Sequence, residues 1–472
     1  MIYKKRISIT VFSGLIVEIL NKIAPLIIIH IAQKRLGIEK FGYALFGISV
    51  IELVLPVISF GYNQYGVIAA GKDPSAIPKL MSSIFVLKLG HCIGLLACLY
   101  LFFGYVPAYQ SYFSLIMPLS LLLAVSVVDV LWVQSASQKV AVSNVFIGIC
   151  RLVTLILILI FIKNSQDAIL FAILSLVGNA LVNLSTCFYS VYKFGLAPPD
   201  WIGIRTIFQK SLPYSVVILL TIVSERIDIF FAEHFGGLAG AGYYAGSSRL
   251  GHSLTQIANT IIAAFFSEMV IIQDKQSLSS HMRWSLWILL FFLSPFIFGV
   301  WFVAGDVLSF IFDEKFRAIE SVLGWIFLSA SLSVLTASFG QQVLFLTGQI
   351  RTYAKALALG VLISSTLAYL VGGTSLYAIA IAMCIGKFFT TFIVFMAARK
   401  SLVEFPIAIL FKTLGPGFLM GLVLFVLQLP SFFANVGLGA VVFFFFGFMM
   451  NRREFLGLYT QVLSFVQNKD QQ

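Results

Sequence analysis

The chain has 472 residues, of which 60% are hydrophobic and only 11% charged, and its mean hydropathy is +1.00. A water-soluble fold cannot hide that much apolar surface, so a soluble globular domain is excluded. The formal net charge of +12 does not point to nucleic acid, because the lysines and arginines are scattered through short connections and not massed on one stretch.

Nearly uncharged windows of about 20 residues recur from end to end, the length that crosses roughly 30 Å of hydrocarbon as a helix. The opening "MIYKKR" runs into apolar sequence with no small-residue cleavage site, so it reads as an uncleaved first span. The predicted spans are 7–31, 42–66, 83–104, 112–133, 143–162 and 167–192. After the longest connection come 212–234, 242–272, 284–304, 319–345, 352–371 and 374–396, and the chain closes with 407–428 and 431–450. The fold class is therefore all-α, a polytopic integral membrane protein of about 14 spans. The expected division is an N-terminal six-helix lobe over 1–192, a cytoplasmic linker over 193–211 carrying Pro198-Pro199, a C-terminal six-helix lobe over 212–400, and two additional transmembrane helices with a cytoplasmic tail over 401–472.

Basic residues fix the expected orientation. With a cytoplasmic N-terminus, Lys4, Lys5, Arg6, Lys72, Lys79, Lys139, Lys193, Arg205, Lys210, Lys275, Arg283, Arg351, Lys355, Arg399, Lys400, Lys412, Arg452, Arg453 and Lys469 fall inside. Only Lys34, Arg35, Lys40, Lys163, Lys315 and Arg317 fall outside, a positive-inside bias that puts both termini in the cytoplasm. The five cysteines form no C-x-x-C pair and read as core residues. No connection is long enough for a nucleotide-hydrolysing domain, and the five histidines lack ligand spacing, so no catalytic residues, cofactor or metal site is expected.

Residues 37–47, "GIEKFGYALFG", and 237–247, "GLAGAGYYAGS", correspond at a constant offset of 200, pairing Gly37 with Gly237, Gly42 with Gly242 and Tyr43 with Tyr243. Upstream, Ala32 aligns with Ala232 and Gln33 with Glu233. A second correspondence, "QKVAVSNVFIG" (138–148) with "IRTYAKALALG" (350–360), pairs Lys139 with Arg351 and Gly148 with Gly360. Spans 1–6 and 7–12 thus read as two six-helix repeats of the same orientation, with spans 13–14 appended. Gly240 to Ala245 also fits a loose G-x-G-x-x-G/A pattern. No strand precedes it and no acid follows at the ribose spacing, so its glycines read as a helix–helix turn.

Ionisable groups deep in a span cost roughly 2.5–3.5 kcal/mol each on insertion scales, so each needs a reason. Lys88 and Arg151 lie near predicted cytoplasmic ends and read as reaching the headgroups. Span 1 carries Glu18, Asn21, Lys22 and Pro25 on one face; span 2 carries Ser49, Glu52, Pro56, Ser59 and Asn63. Span 7 carries Thr221, Glu225 and Asp228 with Arg226 beside them, and span 8 carries Arg249, His252, Gln256 and Asn259. The stripes of spans 2 and 8 coincide at the same offset of 200. Two readings stay open: these groups pair only with one another, as Glu18 with Lys22 or Glu225 with Arg226, or they line a solvated, ligand-handling cavity. In the second, Lys22, Arg226 and Arg249, with Lys387 in span 12, would attract an anion such as phosphate or pyrophosphate. Glu18, Glu52, Asp129, Glu225 and Asp228 could carry coupling protons or sodium, and His252 could titrate near neutral pH.

The stretches "RLGIEKFGYALFG", "GLAGAGYYAGSSRL" and "VLFLTGQIRTYAKALALG" resemble the polysaccharide-flippase branch of the multidrug/oligosaccharidyl-lipid/polysaccharide (MOP) exporter superfamily, and within it the Wzx-type O-antigen repeat-unit flippases. The resemblance implies MATE-like lobes in a V around a cavity lined by spans 1, 2, 7 and 8, in a bacterial inner membrane. It implies alternating access that carries an undecaprenyl-pyrophosphate-linked oligosaccharide to the periplasmic leaflet, among membrane lipids and other polysaccharide-assembly membrane proteins, with a proton or sodium gradient as drive. On that resemblance Lys22 and Arg249 would meet the pyrophosphate, and spans 13–14, with "VVFFFFGFMM" at 441–450, would meet a lipid tail or the bilayer. Three alternatives remain: a lipid II-type flippase, a cation-coupled multidrug exporter, which would favour a more acidic cavity, and a membrane polysaccharide polymerase or ligase, which would need a large outer loop.

Overall fold

A computed structural model of the chain describes residues 24–137, 140–269, 274–402, 407–427, 429 and 431–456. Glu18, Asn21 and Lys22, three of the expected site residues, lie outside the described residues. Among the described residues there is no strand, and eleven helices are long and apolar enough to cross a membrane. The fold is all-α, as the hydropathy pattern requires. Backbone groups in hydrocarbon must be satisfied within their own segment, and a helix does this.

Two compact units meet in sequence at Gly246 and Ser247. In the first, α1 (24–36) ends at Gly37, whose φ of 75° and ψ of 165° only glycine adopts without strain. Helix α2 (Ile38–Ser59) stops at Phe60 and Gly61, with φ of 39° and 70°, and α3 (Tyr62–Lys72) resumes in a new direction. Helix α4 (Ile77–Tyr105) follows a short Pro74–Ala76 turn. The predicted fourth span is not one helix. It consists of a Pro107–Tyr112 turn, α5 (Phe113–Leu121), a 3₁₀ stretch over Leu122–Val128, an extended Asp129 (ψ 116°) and α6 (Leu131–Ala136). Pro118 supplies no N–H, the Ser126 hydroxyl bonds back to the Leu123 carbonyl, and the Asp129 carboxylate accepts the Leu131 N–H that restarts the helix. Helices α7 (Val140–Phe161) and α8 (Ala168–Phe194) close this part, packed where a Cβ on Gly178 would overlap the Thr154 hydroxyl.

The expected linker over 193–211 is largely helix. Only 195–202 is irregular, and α9 (Gly203–Met269) begins within it. Helix α9 is two helices joined at Gly237, with φ of 62° and ψ of −163°. This is nearly the conformation of Gly37, its partner in the sequence correspondence. The two hairpins also touch within the first unit. A Cβ on Gly42 would overlap the Leu238 carbonyl oxygen, and one on Gly242 would sit 2.6 Å from the Ile38 carbonyl oxygen. Ile38 and Leu238 are themselves partners at the offset of 200, so the crossing is pseudo-symmetric, backbone on backbone.

The second unit holds α10 (Lys275–Ile311), α11 (Glu320–Phe339), α12 (Ile350–Val371), α13 (Leu376–Ser401), α14 (Ile407–Leu427) and α15 (Phe432–Met450). Helices α12 and α13 cross where Gly360 and Gly386 meet, each leaving no room for a Cβ. Helix α11 runs into a π-helical turn, Gly340–Phe345, whose buried Gln342 donates to the Ile262 carbonyl (3.0 Å) and accepts from Ser285 and Ser338 (2.9 Å each). Trp287, Asn451 and the Lys412 carbonyl join α10, α14 and the end of α15.

Candidate functional site

The expected residues fall into separate groups, each within one unit. In the second unit, the part of α9 after Gly246 carries Arg249 and His252 half-buried, with Gln256 and Asn259 exposed. Alternate positions such as Leu250, Leu254, Ala258 and Ile262 are buried, so the polar residues occupy the outward face of an apolar helix. That exposed face carries two primary amides, for which hydrocarbon is a poor surrounding. Lys387, half-buried on α13, lies on a helix packed between α11 and α12, away from this stripe in sequence and element.

In the first unit the charges pair across helices and not along them. Arg226 of α9 reaches Glu52 of α2 at 3.1 Å, with 14% and 27% of the side chains exposed, and not its chain neighbour Glu225. Arg151 of α7 also acts electrostatically on Glu52. Glu52 is thus acted on by guanidinium groups from two helices, with Glu225 adjoining Arg226 along α9. Glu225 is half-buried, and Asp228 is buried with its carboxylate accepting the Ile229 N–H at 2.8 Å. Glu233 accepts a hydrogen bond from the Tyr112 hydroxyl. Arg35 donates to the Leu159 and Ile162 carbonyls at 2.8 and 2.5 Å, satisfying the C-terminal end of α7.

Asp129 sits elsewhere. Lys88, read from sequence as reaching the headgroups, is 0% exposed and pairs with the Asp129 carboxylate at 3.6 Å. Its ammonium also donates to the Asn63 side-chain oxygen (3.1 Å) and the Asp129 carbonyl (2.9 Å), while Asn63 donates to Asp129 Oδ2 at 2.7 Å. Helix α4 starts at Ile77, not 83, so Lys88 lies three turns in and inside a packed core, away from the headgroups. Opposite charges on consecutive predicted spans were the available signal for this pair.

Outside the spans, Asp200 receives the Gly203 N–H (2.9 Å) at the start of α9 and pairs with Lys79 at 3.2 Å, which together hold its carboxyl below the usual carboxylate range. Among the described residues no three His, Cys, Asp or Glu side chains cluster as metal ligands.

Residues 10–269 match the family model described as polysaccharide biosynthesis protein, more than half of the chain. The chain belongs to this polysaccharide biosynthesis family. No curated protein matches the sequence. Among solved structures the fold is similar to the lipid II flippase MurJ in an inward closed conformation, at 16% identity and a TM-score of 0.73, covering 95% of this chain and 99% of that one. It is also similar to an inward-facing multidrug resistance MATE family transporter of the MOP superfamily, at 14% identity and a TM-score of 0.60 over 82% and 97% of the two chains. A MOP superfamily transporter from Pyrococcus furiosus matches at 15% identity and a TM-score of 0.60, over 84% and 94%. At these identities the likeness is one of fold. The chain's long apolar helices make it a multi-pass membrane protein.

Proposed function

We propose that the protein is a flippase that moves an undecaprenyl-pyrophosphate-linked oligosaccharide, an O-antigen or similar surface-polysaccharide repeat unit, from the cytoplasmic to the periplasmic leaflet of a bacterial inner membrane. Both termini lie in the cytoplasm, and the two six-helix repeats, 1–192 and 212–400, alternate in access. The observation that carries the reading is membership of the polysaccharide family combined with the outward polar stripe Arg249–His252–Gln256–Asn259. A guanidinium suits pyrophosphate because its fork of donors meets two oxygens at once, and amides suit sugar hydroxyls. Lys22 is the second cation assigned to the pyrophosphate, and Arg226, which pairs with Glu52, is a further candidate. Such a protein works beside the other membrane proteins of polysaccharide assembly.

A second reading, transport of a peptidoglycan precursor, is favoured by the match to MurJ along nearly all of both chains. It shares the anionic headgroup and differs in the sugar. The test is complementation of a strain lacking its own repeat-unit flippase. Arg249→Ala is expected to abolish surface polysaccharide while the protein stays in the membrane at its normal level. Normal polysaccharide with Arg249→Ala would remove the anion assignment.

A further inference from the structure

Two spans of the first unit are broken, and both breaks converge on one ammonium. Phe60 and Gly61 interrupt α2–α3 just before Asn63, and the extended residue between the 3₁₀ stretch and α6 is Asp129. Irregular backbone at membrane depth is tolerated where it is buried in protein or serves a polar site. Here the Lys88 ammonium donates to two oxygens, the Asp129 carbonyl and the Asn63 amide, and forms an ion pair with the Asp129 carboxylate at 3.6 Å. A mere staple for two broken helices would need only neutral groups. A buried ion pair is the more expensive device in a membrane.

We propose that Lys88–Asp129–Asn63 is a proton-binding site, and that loading Asp129 rearranges the two broken spans. The proposal rests on the flippase reading only in naming this proton as the coupling ion. A proton that arrives at Asp129 forms one O–H bond and converts the carboxylate to a neutral acid, and Lys88 keeps its own proton. The site's net charge goes from zero to +1 with Lys88 fully enclosed. The present geometry is weakened in that state. Oδ2 accepts the Asn63 N–H, Oδ1 accepts the Leu131 N–H and the carboxylate pairs with the Lys88 ammonium, and a neutral acid is a poorer partner for all three donors than a carboxylate. Protonation therefore favours a different arrangement, which is the differential affinity that coupling needs. Alternative partners lie in the same buried core. The Tyr62 hydroxyl and the Trp132 indole N–H, one residue away from Asn63 and Leu131, make no hydrogen bond among the described residues.

Asp129 is the charged group that faces Lys88. The other titratable groups around this core are Tyr62 and Tyr65 of α3, His91 one turn along α4, and Cys187 of α8. His91 is half-buried and packs at a tilt against Phe60 at the break in α2–α3, with ring centroids 4.8 Å apart.

Hydrogen exchange of the full-length protein in lipid nanodiscs, corrected for the intrinsic pH dependence, tests the site without any transport substrate. Between pH 8 and pH 5 the wild type should gain exchange several-fold in 60–66 and 122–137. Asp129→Asn, which mimics the loaded acid, should show the high-exchange pattern at both pH values, and the double variant Lys88→Gln/Asp129→Asn should lose the pH response while remaining folded. Equal protection of the wild type at both pH values, or a pH response retained in the double variant, would overturn the proposal. In vesicles, a gradient of one pH unit should shift the wild-type leaflet distribution of a labelled polyprenyl-pyrophosphate sugar by up to about tenfold, and the double variant's should not shift. A wild type with pH-dependent exchange that flips nothing would overturn the flippase reading and leave the site standing. One that flips with no pH-dependent exchange would do the reverse.

Discussion

Gly37 and Gly237 hold the same backbone conformation two hundred residues apart, with nothing within 4 Å of where a Cβ would sit. Substitution there meets strain alone. Gly37→Ala or Gly237→Ala should each cost about 1–3 kcal/mol, read as a lower melting temperature in detergent, and the two losses should be similar because the two sites do the same job. Gly42 and Gly242 carry a different constraint, since a side chain at either would force two backbones apart. At Lys88 the cost is electrostatic. Lys88→Met strands the Asp129 carboxylate, which should cost about 3–5 kcal/mol, while neutralising both partners should recover most of the loss in melting temperature. The glycines were legible in the sequence because backbone need fixes residue type at a constant offset. The burial of Lys88 was not, because it depends on how far α4 extends and on what α3 and α6 bring against it.

The span pattern follows from apolar windows, and most helices lie within a few residues of their expected positions. Departures occur where a local polar bond outweighs the hydropathy pattern. The fourth span breaks at Asp129 because that carboxylate caps Leu131, and the tenth ends in a π turn around Gln342, which bonds to three separate partners. The connection at 193–211 shortens because Asp200 receives the Gly203 N–H and starts α9 early. Its folded carboxyl lies below the usual range, so its contribution is present above the unfolded value and is lost as pH falls through the folded one. Exchange protection at the first turn of α9 should therefore hold at neutral pH and fall under strongly acidic conditions. Asp200→Asn should remove that acid step. An acid step that survives the substitution would assign it to another group.

At the scale of the molecule, composition alone established a multi-pass membrane protein, and the paired glycine hairpins pointed to a repeated architecture. The long apolar helices agree with the first. The expected site was less legible. Helix periodicity puts Arg249, His252, Gln256 and Asn259 in one stripe, half-buried to exposed, but it could not show that Arg226 would turn to Glu52 or that Asp129 would pair with Lys88. Pairing between helices depends on depth and rotation, which a single-chain periodicity does not encode. The proposed function is movement of a lipid-linked sugar held by its anionic headgroup. The direct measurement reconstitutes the purified protein in vesicles that carry a labelled undecaprenyl-pyrophosphate oligosaccharide and follows its arrival in the opposite leaflet. Movement well above that of protein-free vesicles is expected, reduced at least tenfold by Arg249→Ala. Leaflet exchange no faster than in empty vesicles, for every polyprenyl-pyrophosphate sugar offered, would contradict it.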